Sequence, residues 1–307
     1  MIESGTHTPG VSAADFGLPP HTALRYEQPV AALRHHLSSY LVLDTEPVDP
    51  PLTSEWMLPS WAQIWIIITR DPVTLTVRNR HYAAMPVAVL YGVTSRAMHA
   101  TAVGGVSIGV DISPLGWARL FRQSAEALRD RVTPLDQLMP AALVEELVSS
   151  LSASDQALDV KDLLDDFFTR HMAKPHRDEP MIAQIMRLIC DPGVTNLDDA
   201  AAAIGIPSHT LRRLSRRYFG FPPKTLIMRT RFLRAFVPML GSRARIDQQA
   251  VPPHYHDRSH FLRDARLFLG MTARRFAAVD TPYLDAALRA RRLVLGAPTP
   301  ALDDPPA

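Results

Sequence analysis

The stretch from Asn196 to Gly220, NLDDAAAAIGIPSHTLRRLSRRYFG, spells two short helices joined by a tight turn. Asn196 can cap the first helix, and Asp198 and Asp199 fall in its first turn, where the helix dipole favours negative charge. Gly205-Ile206-Pro207-Ser208 then separates the helices. Gly205 can take the positive φ of the turn, Ser208 can cap the second helix from His209 to Phe219, and Gly220 ends it. Ala201 is small where the helices cross, while Ile206, Leu211 and Leu214 fall at the positions that lock one against the other. With Leu211, Leu214 and Tyr218 turned inward, His209, Arg212, Arg213, Arg216 and Arg217 are left on the open face. That is what a helix lying in the major groove of double-stranded DNA needs: donors for base edges near its start and cations for phosphates along its length.

The charge around this segment agrees. The chain of 307 residues has a net charge of only +2, but residues 1 to 177 hold 14 basic against 19 acidic residues, and residues 178 to 292 hold 19 against 10. Between Gly205 and Arg275 there are 15 basic residues and three acidic ones, Asp247, Asp257 and Asp264. Lys224 is the only lysine in that stretch; the rest are arginines, which fork onto a phosphate or a guanine edge. A basic excess confined to one segment attracts polyanions by counterion release. A solvated Arg-rich surface is the bland alternative.

Further helices flank the pair. Met181 to Cys190 is an apolar helix stopped by Asp191-Pro192-Gly193. From about Met181 to Phe276 the sequence resembles the AraC/XylS family of bacterial transcription regulators, whose pattern is two helix-turn-helix units joined by a long helix. Ala201, Gly205-Ile206, Leu211, Arg213, Gly220 and Pro223-Lys224 fit the first unit, and Arg231 and Ala235 fit the connecting helix. Ile246, Ala250, Tyr255, Asp257, Ser259-His260-Phe261, Arg263, Gly270-Met271-Thr272 and Phe276 fit the second. The resemblance implies base contacts from His209, Arg212, Arg213, Arg258, Ser259 and Arg263, with Arg216, Arg217, Lys224 and Arg266 as further DNA contacts. The two recognition helices would enter successive major-groove segments about 34 Å apart. Ser215 and Ala265 stand where the family carries a large aromatic, which predicts recognition helices that are underpacked or seated differently. Pro252-Pro253 would shorten the supporting helix of the second unit, and His254 replaces its turn glycine.

The first half has a β texture. Ile64 to Thr69 is a β-branched apolar run, Arg70-Asp71-Pro72 signals a turn, and Val73 to Val77 alternates; Met85 to Tyr91 and Val103 to Ile112 read as further strands. Past Pro114 the pattern turns helical. Leu143, Val144, Leu147, Val148 and Leu151 make one apolar stripe, and Val160, Leu163, Leu164, Phe167, Phe168 and Met172 make a wider one, with room for a second subunit on one edge. The fold class implied is α+β in two domains: a β-barrel or sandwich with helices, then an all-α double helix-turn-helix. The expected boundaries are a loose arm at 1–20, a regulatory domain at 21–173, a Pro-broken linker at 174–180, the DNA-binding domain at 181–280, and a helix with a Pro-rich tail at 281–307.

The stretch Val103 to Leu138 resembles, more weakly, the cupin-like sensor domain that many family members carry. Trp56, Trp61, Trp65 and Trp117 all lie in this half and could line an apolar effector pocket, although plain core is the commoner fate of such residues. The expected partners are double-stranded DNA, a small-molecule effector, RNA polymerase and a second copy of the chain. No cofactor, metal or membrane is expected, and the chain is not expected to be an enzyme. His254, His256 and His260 beside Asp257 lack the further ligands a metal needs, and Cys190 reads as a small core residue. A single cysteine and the absence of a long apolar run point to the cytoplasm. Two rivals fit the same composition: a nonspecific DNA-binding architectural protein, and a cupin-type metalloenzyme with an appended DNA-binding region.

Overall fold

The computed structural model describes residues 1–47, 53–69, 72–194, 196–240 and 254–303. Two antiparallel sheets lie face to face. The larger has the spatial order β1 (Thr22–Glu27), β2 (Leu37–Thr45), β9 (Gly105–Ile112), β4 (Ala62–Ile68), β7 (Ala88–Tyr91) and β10 (Val132–Pro134). The smaller runs β3 (Thr53–Met57), β8 (Met98–Ala102), β5 (Thr74–Val77) and β6 (Arg80–Tyr82). The apolar run in β4 lacks alternation because both its faces are covered. Ile64 and Ile66 join Tyr40, Val42, Ile108 and Val110 beneath helices, whereas Trp65 and Ile67 join Val89, Tyr91, Leu75 and Met98 between the sheets.

The four expected strands are present as β4, β5, β7 and β9. β1 carries no readable period because it is buried along its whole length, with Arg25 and Glu27 paired at 3.1 Å inside it. Ser113 caps α1 (Pro114–Leu120) by accepting from the N–H groups of Leu115 and Gly116. α2 (Ala125–Leu128) follows, and then α3 (Ala141–Ala153) and α4 (Val160–His171) carry the two apolar stripes. In the second stripe Val160, Leu164, Phe167, Phe168 and Met172 are each at most 3% exposed, and Leu163 packs on the same core. The sheet and α3 therefore cover the surface on which a homodimer was expected.

The second half comprises α5 (Glu179–Cys190), α6 (Leu197–Ala203), α7 (Ser208–Phe219), α8 (Pro223–Leu240), α9 (Arg258–Leu269), α10 (Ala273–Ala277) and α11 (Pro282–Leu295). Among the described residues no helix is long and apolar enough to cross a membrane. The expected linker falls between α4 and α5, and one apolar core runs across it from the larger sheet through α4 and α5 to Leu211, Leu214 and Phe219 of α7. Residues 1–20 are not a loose arm. Gly5 exchanges backbone hydrogen bonds with Leu24 and Tyr26, and fully buried Phe16 packs with Ala290 and Val294 of α11. Arg289 on α11 donates to the carbonyls of Phe16 and Gly17 at 2.9 Å.

Candidate nucleic-acid interface

The geometry of the first unit follows its sequence closely. The Asn196 side chain accepts from the Asp198 N–H at 2.9 Å, and Gly205 takes the turn with φ +71°. Ser208 departs from expectation: it is the first residue of α7, Pro207 holds the N-cap position without a side-chain cap, and the Ser208 hydroxyl bonds the Asp198 carboxylate, which ties α7 back to α6. Leu211, Leu214 and Tyr218 are buried, and the Tyr218 hydroxyl donates to Asp178 at 2.5 Å. Ser215 is fully buried with no partner for its hydroxyl.

His209, Arg212, Arg213, Arg216 and Arg217 are all exposed, as is Lys224 at the start of α8. They are not equally available. Arg216 lies 3.7 Å from Glu126 of α2, and Arg217 donates to the Tyr218 hydroxyl at 3.1 Å. Arg212 and Arg213 make no ion pair among the described residues and stand clear in solvent.

In the second unit Asp257 caps α9 by accepting from the His260 N–H at 2.9 Å, and its other oxygen pairs with the His260 ring at 3.1 Å. Phe261, Ala265, Phe268 and Leu269 face inward; Phe268 stacks on Phe232 of α8 with ring centroids 5.5 Å apart, so Ala265 sits among aromatics instead of beside a void. Arg258, Ser259, Arg263 and Arg266 are exposed on the opposite face. His254 holds φ +67° where the resemblance implies glycine. Ile246, Ala250 and Pro252-Pro253 lie outside the described residues.

Tyr255, Arg231 and Asp264 form a clamp that the sequence matched only as scattered positions. Arg231 and the Tyr255 hydroxyl each donate to Asp264 at 2.8 Å, and the guanidinium lies over the Tyr255 ring. Burial, together with the negative Asp264, pushes the Tyr255 phenol well above its usual range. The basic patch is therefore smaller than its residue count. Arg231 is held by this clamp, Arg234 donates to the Cys190 carbonyl, and Arg229 is 1% exposed. Arg229 donates to the carbonyls of Ser60 and Thr94 and lies over the Trp61 ring at 4.2 Å; burial without a carboxylate partner pulls its pKa down to about 9. It docks α8 on the sheets and cannot reach a phosphate.

The tryptophans are not gathered in one pocket. Trp117 packs on Phe121 in the core, and Trp61 is wedged between Arg229 and Phe219. Trp56 and Trp65 do share a cavity, with Glu55, Tyr283 and Arg291 in its wall. Sequence alone did not single out Glu55; its signal is only an acid between Ser54 and Trp56 in a short strand.

No protein-family model matches the chain, and no curated protein matches it. Among solved structures, unsaturated-fatty-acid-bound ToxT from Vibrio cholerae is 16% identical, covering 80% of this chain and 96% of its own, with a TM-score of 0.44. A second ToxT structure is 14% identical over 83% of this chain and 96% of its own, at 0.42. CuxR, described as an AraC-like transcriptional activator, is 13% identical over 73% and 90%, at 0.31.

Proposed function

We propose that the protein is a sequence-specific DNA-binding transcription regulator of AraC/XylS type, with residues 181–280 binding DNA and residues 21–173 taking up a small-molecule effector. The observation that carries this is α8. A single helix places Leu226 in the core beneath α7 and Phe232 and Phe236 in the core beneath α9, so two arginine-faced helices are held on one frame. Two rigidly related readers suit a duplex site longer than one helix can cover. Base contacts fall to His209, Arg212, Arg213, Arg258, Ser259 and Arg263, and phosphate contacts to Arg216, Arg217, Lys224 and Arg266. Contact with RNA polymerase and pairing of two copies belong to the same function, the second copy using a surface other than the α4 stripe.

The test is selection of bound duplexes from a random pool, followed by titration of selected and scrambled sites at one salt concentration. A regulator prefers the selected site by about a thousandfold or more. A ratio near one would leave only a nonspecific architectural protein.

A further inference from the structure

We propose that the cavity between the two sheets and α11 takes an organic cation: an ammonium group on a compact apolar or aromatic body, received by the carboxylate of Glu55. The inference rests on the regulator reading only in making this ligand the effector. The cavity has two chambers. One, of about 100 Å³, lies under α11 beside Trp56, Gln63 and Arg291; the other, of about 50 Å³, lies deeper, beside Ile67, Val73 and Tyr91. Leu43, Glu55, Met57, Trp65 and Tyr283 line both. At roughly 10–15 Å³ per water-sized sphere, the space suits on the order of ten non-hydrogen atoms.

Glu55 is the group in this space whose charge is unanswered. Among the described residues nothing donates to its carboxylate or pairs with it. The neighbouring charges are already committed. Arg291 makes two hydrogen bonds to Asp303 at 2.7 Å and lies 3.8 Å from Asp111, which in turn accepts from Gln63 at 2.6 Å and from Ser39. The remaining titratable groups facing the cavity are the phenols of Tyr26, Tyr91 and Tyr283. Burial alone pushes the Glu55 carboxyl up to about 7, the mark of a carboxylate waiting for a partner in apolar surroundings. An ammonium group supplies that partner, and the Trp65 ring, which lines both chambers, adds an aromatic surface that attracts cations. A carboxylate ligand meets like charge, and a neutral one leaves Glu55 unpaired. Trp56 also touches Phe276 of α10 with ring centroids 5.5 Å apart, so the cavity wall is a wall of the second helix-turn-helix unit as well.

The test is calorimetric titration of the full chain, without DNA, with three probes of matched shape: 2-phenylethylammonium, 2-phenylethanol and phenylacetate. At pH 8 the cation should bind at least about tenfold more tightly than either other probe, and Glu55→Gln should erase that preference while leaving the alcohol unaffected. For the unaltered protein, cation affinity should rise about tenfold from pH 6 to pH 8, because only ionised Glu55 receives it. Phenylacetate binding as well as the cation, no cation binding at millimolar concentration, or a preference that survives in folded Glu55→Gln overturns the proposal. If that variant does not fold, a flat pH dependence of the unaltered protein overturns it equally. DNA binding is read separately: cation uptake without sequence preference sinks the regulator and spares this site, and the reverse result sinks this site alone.

Discussion

Around α7, charged contacts with the sheet-rich half flank the apolar one that Phe219 makes with Trp61. Arg119 of α1 forks onto Glu179 of α5 at 2.6 and 2.9 Å, Arg216 faces Glu126, and Arg129 lies over the Phe221 ring. Around α9 they are mostly apolar and backbone: Leu58 and Ala97 enter the cluster of Phe232, Phe236 and Phe268, Trp56 meets Phe276, and the Ala97 N–H donates to the Phe268 carbonyl at 2.7 Å, with one cation, Arg96, donating to the Leu267 carbonyl at 3.3 Å. The core beneath α7 is continuous with the larger sheet, whereas that beneath α9 is a separate cluster. One unit is thus part of the main body and the other is applied to it. The first should unfold only with the sheets; the second can open alone.

The largest test of this difference is a pair of truncations. Phe219→Ala and Phe268→Ala each empty a fully buried site, at about 3–5 kcal/mol. Phe219 meets Trp61 edge-on at 5.8 Å, so its loss should shift tryptophan fluorescence and circular dichroism transitions together. Phe268→Ala should speed amide exchange in α9 and α10 while the sheets stay protected. Equal loss of protection in both regions would show that the two clusters behave as one.

Acid should separate the seams next. Burial pushes Glu179 up, but its hydrogen bonds from Arg119 and from the His176 N–H outweigh that and hold it down at about 2; burial and nearby Arg119 lower His36 to about 4. Because the folded-state value of Glu179 is depressed, its contribution is present above the ordinary carboxylate value and is lost as pH falls toward 2. Glu179→Gln should cost about 2–3 kcal/mol at pH 7. Exchange in α5 and α7 should rise in acid before exchange in α9 does. An unchanged stability at pH 7 would remove the charged seam from the account.

How much of this was legible in the sequence depends on where polar groups went. Helix ends were legible where caps are local: Asn196, Gly205 and Gly220 stand where their chemistry requires, whereas the expected Ser208 cap is drawn off to Asp198. Strands did not when polar residues were buried, as in β1, because alternation then carries no information. The open face of α7 followed from periodicity, and that of α9 from the family resemblance. The burial of Arg229, the Arg231–Asp264–Tyr255 clamp and the solitary Glu55 did not, since each depends on which distant segment arrives opposite. A count of arginines likewise overstated the interface, because charge reads the same in sequence whether it faces water or a buried carbonyl.

DNA affinity sharpens the comparison at smaller energies. Arg213→Ala and Arg263→Ala should each cost about 1–3 kcal/mol on a selected site and relax preference at one base position. Arg217→Ala should weaken selected and random duplexes alike, reading as a phosphate contact. Loss from Arg213→Ala alone would mean that α9 positions the protein without reading bases.

The smallest effect concerns Arg216. Its guanidinium is about half exposed and 3.7 Å from the partly exposed Glu126 carboxylate, an exposed pair worth at most about 1 kcal/mol. In the proposed regulator this weak pair is still a competition, since the same guanidinium is proposed as a phosphate contact. Glu126 also pairs with Arg129 at 3.2 Å, so removing its charge releases two cations near α7 at little cost to the fold. Glu126→Gln should therefore tighten DNA binding about twofold at low salt, for selected and scrambled duplexes equally, and steepen the salt dependence by no more than about one phosphate contact. In an Arg216→Ala background the same substitution should gain less, the remainder belonging to Arg129. The exposed arginines of α9 make no ion pair with the sheet-rich half among the described residues, so no corresponding gain is available there. If Glu126→Gln leaves both affinity and salt slope unchanged, Arg216 does not reach the backbone and the first unit meets DNA through the start of α7 alone.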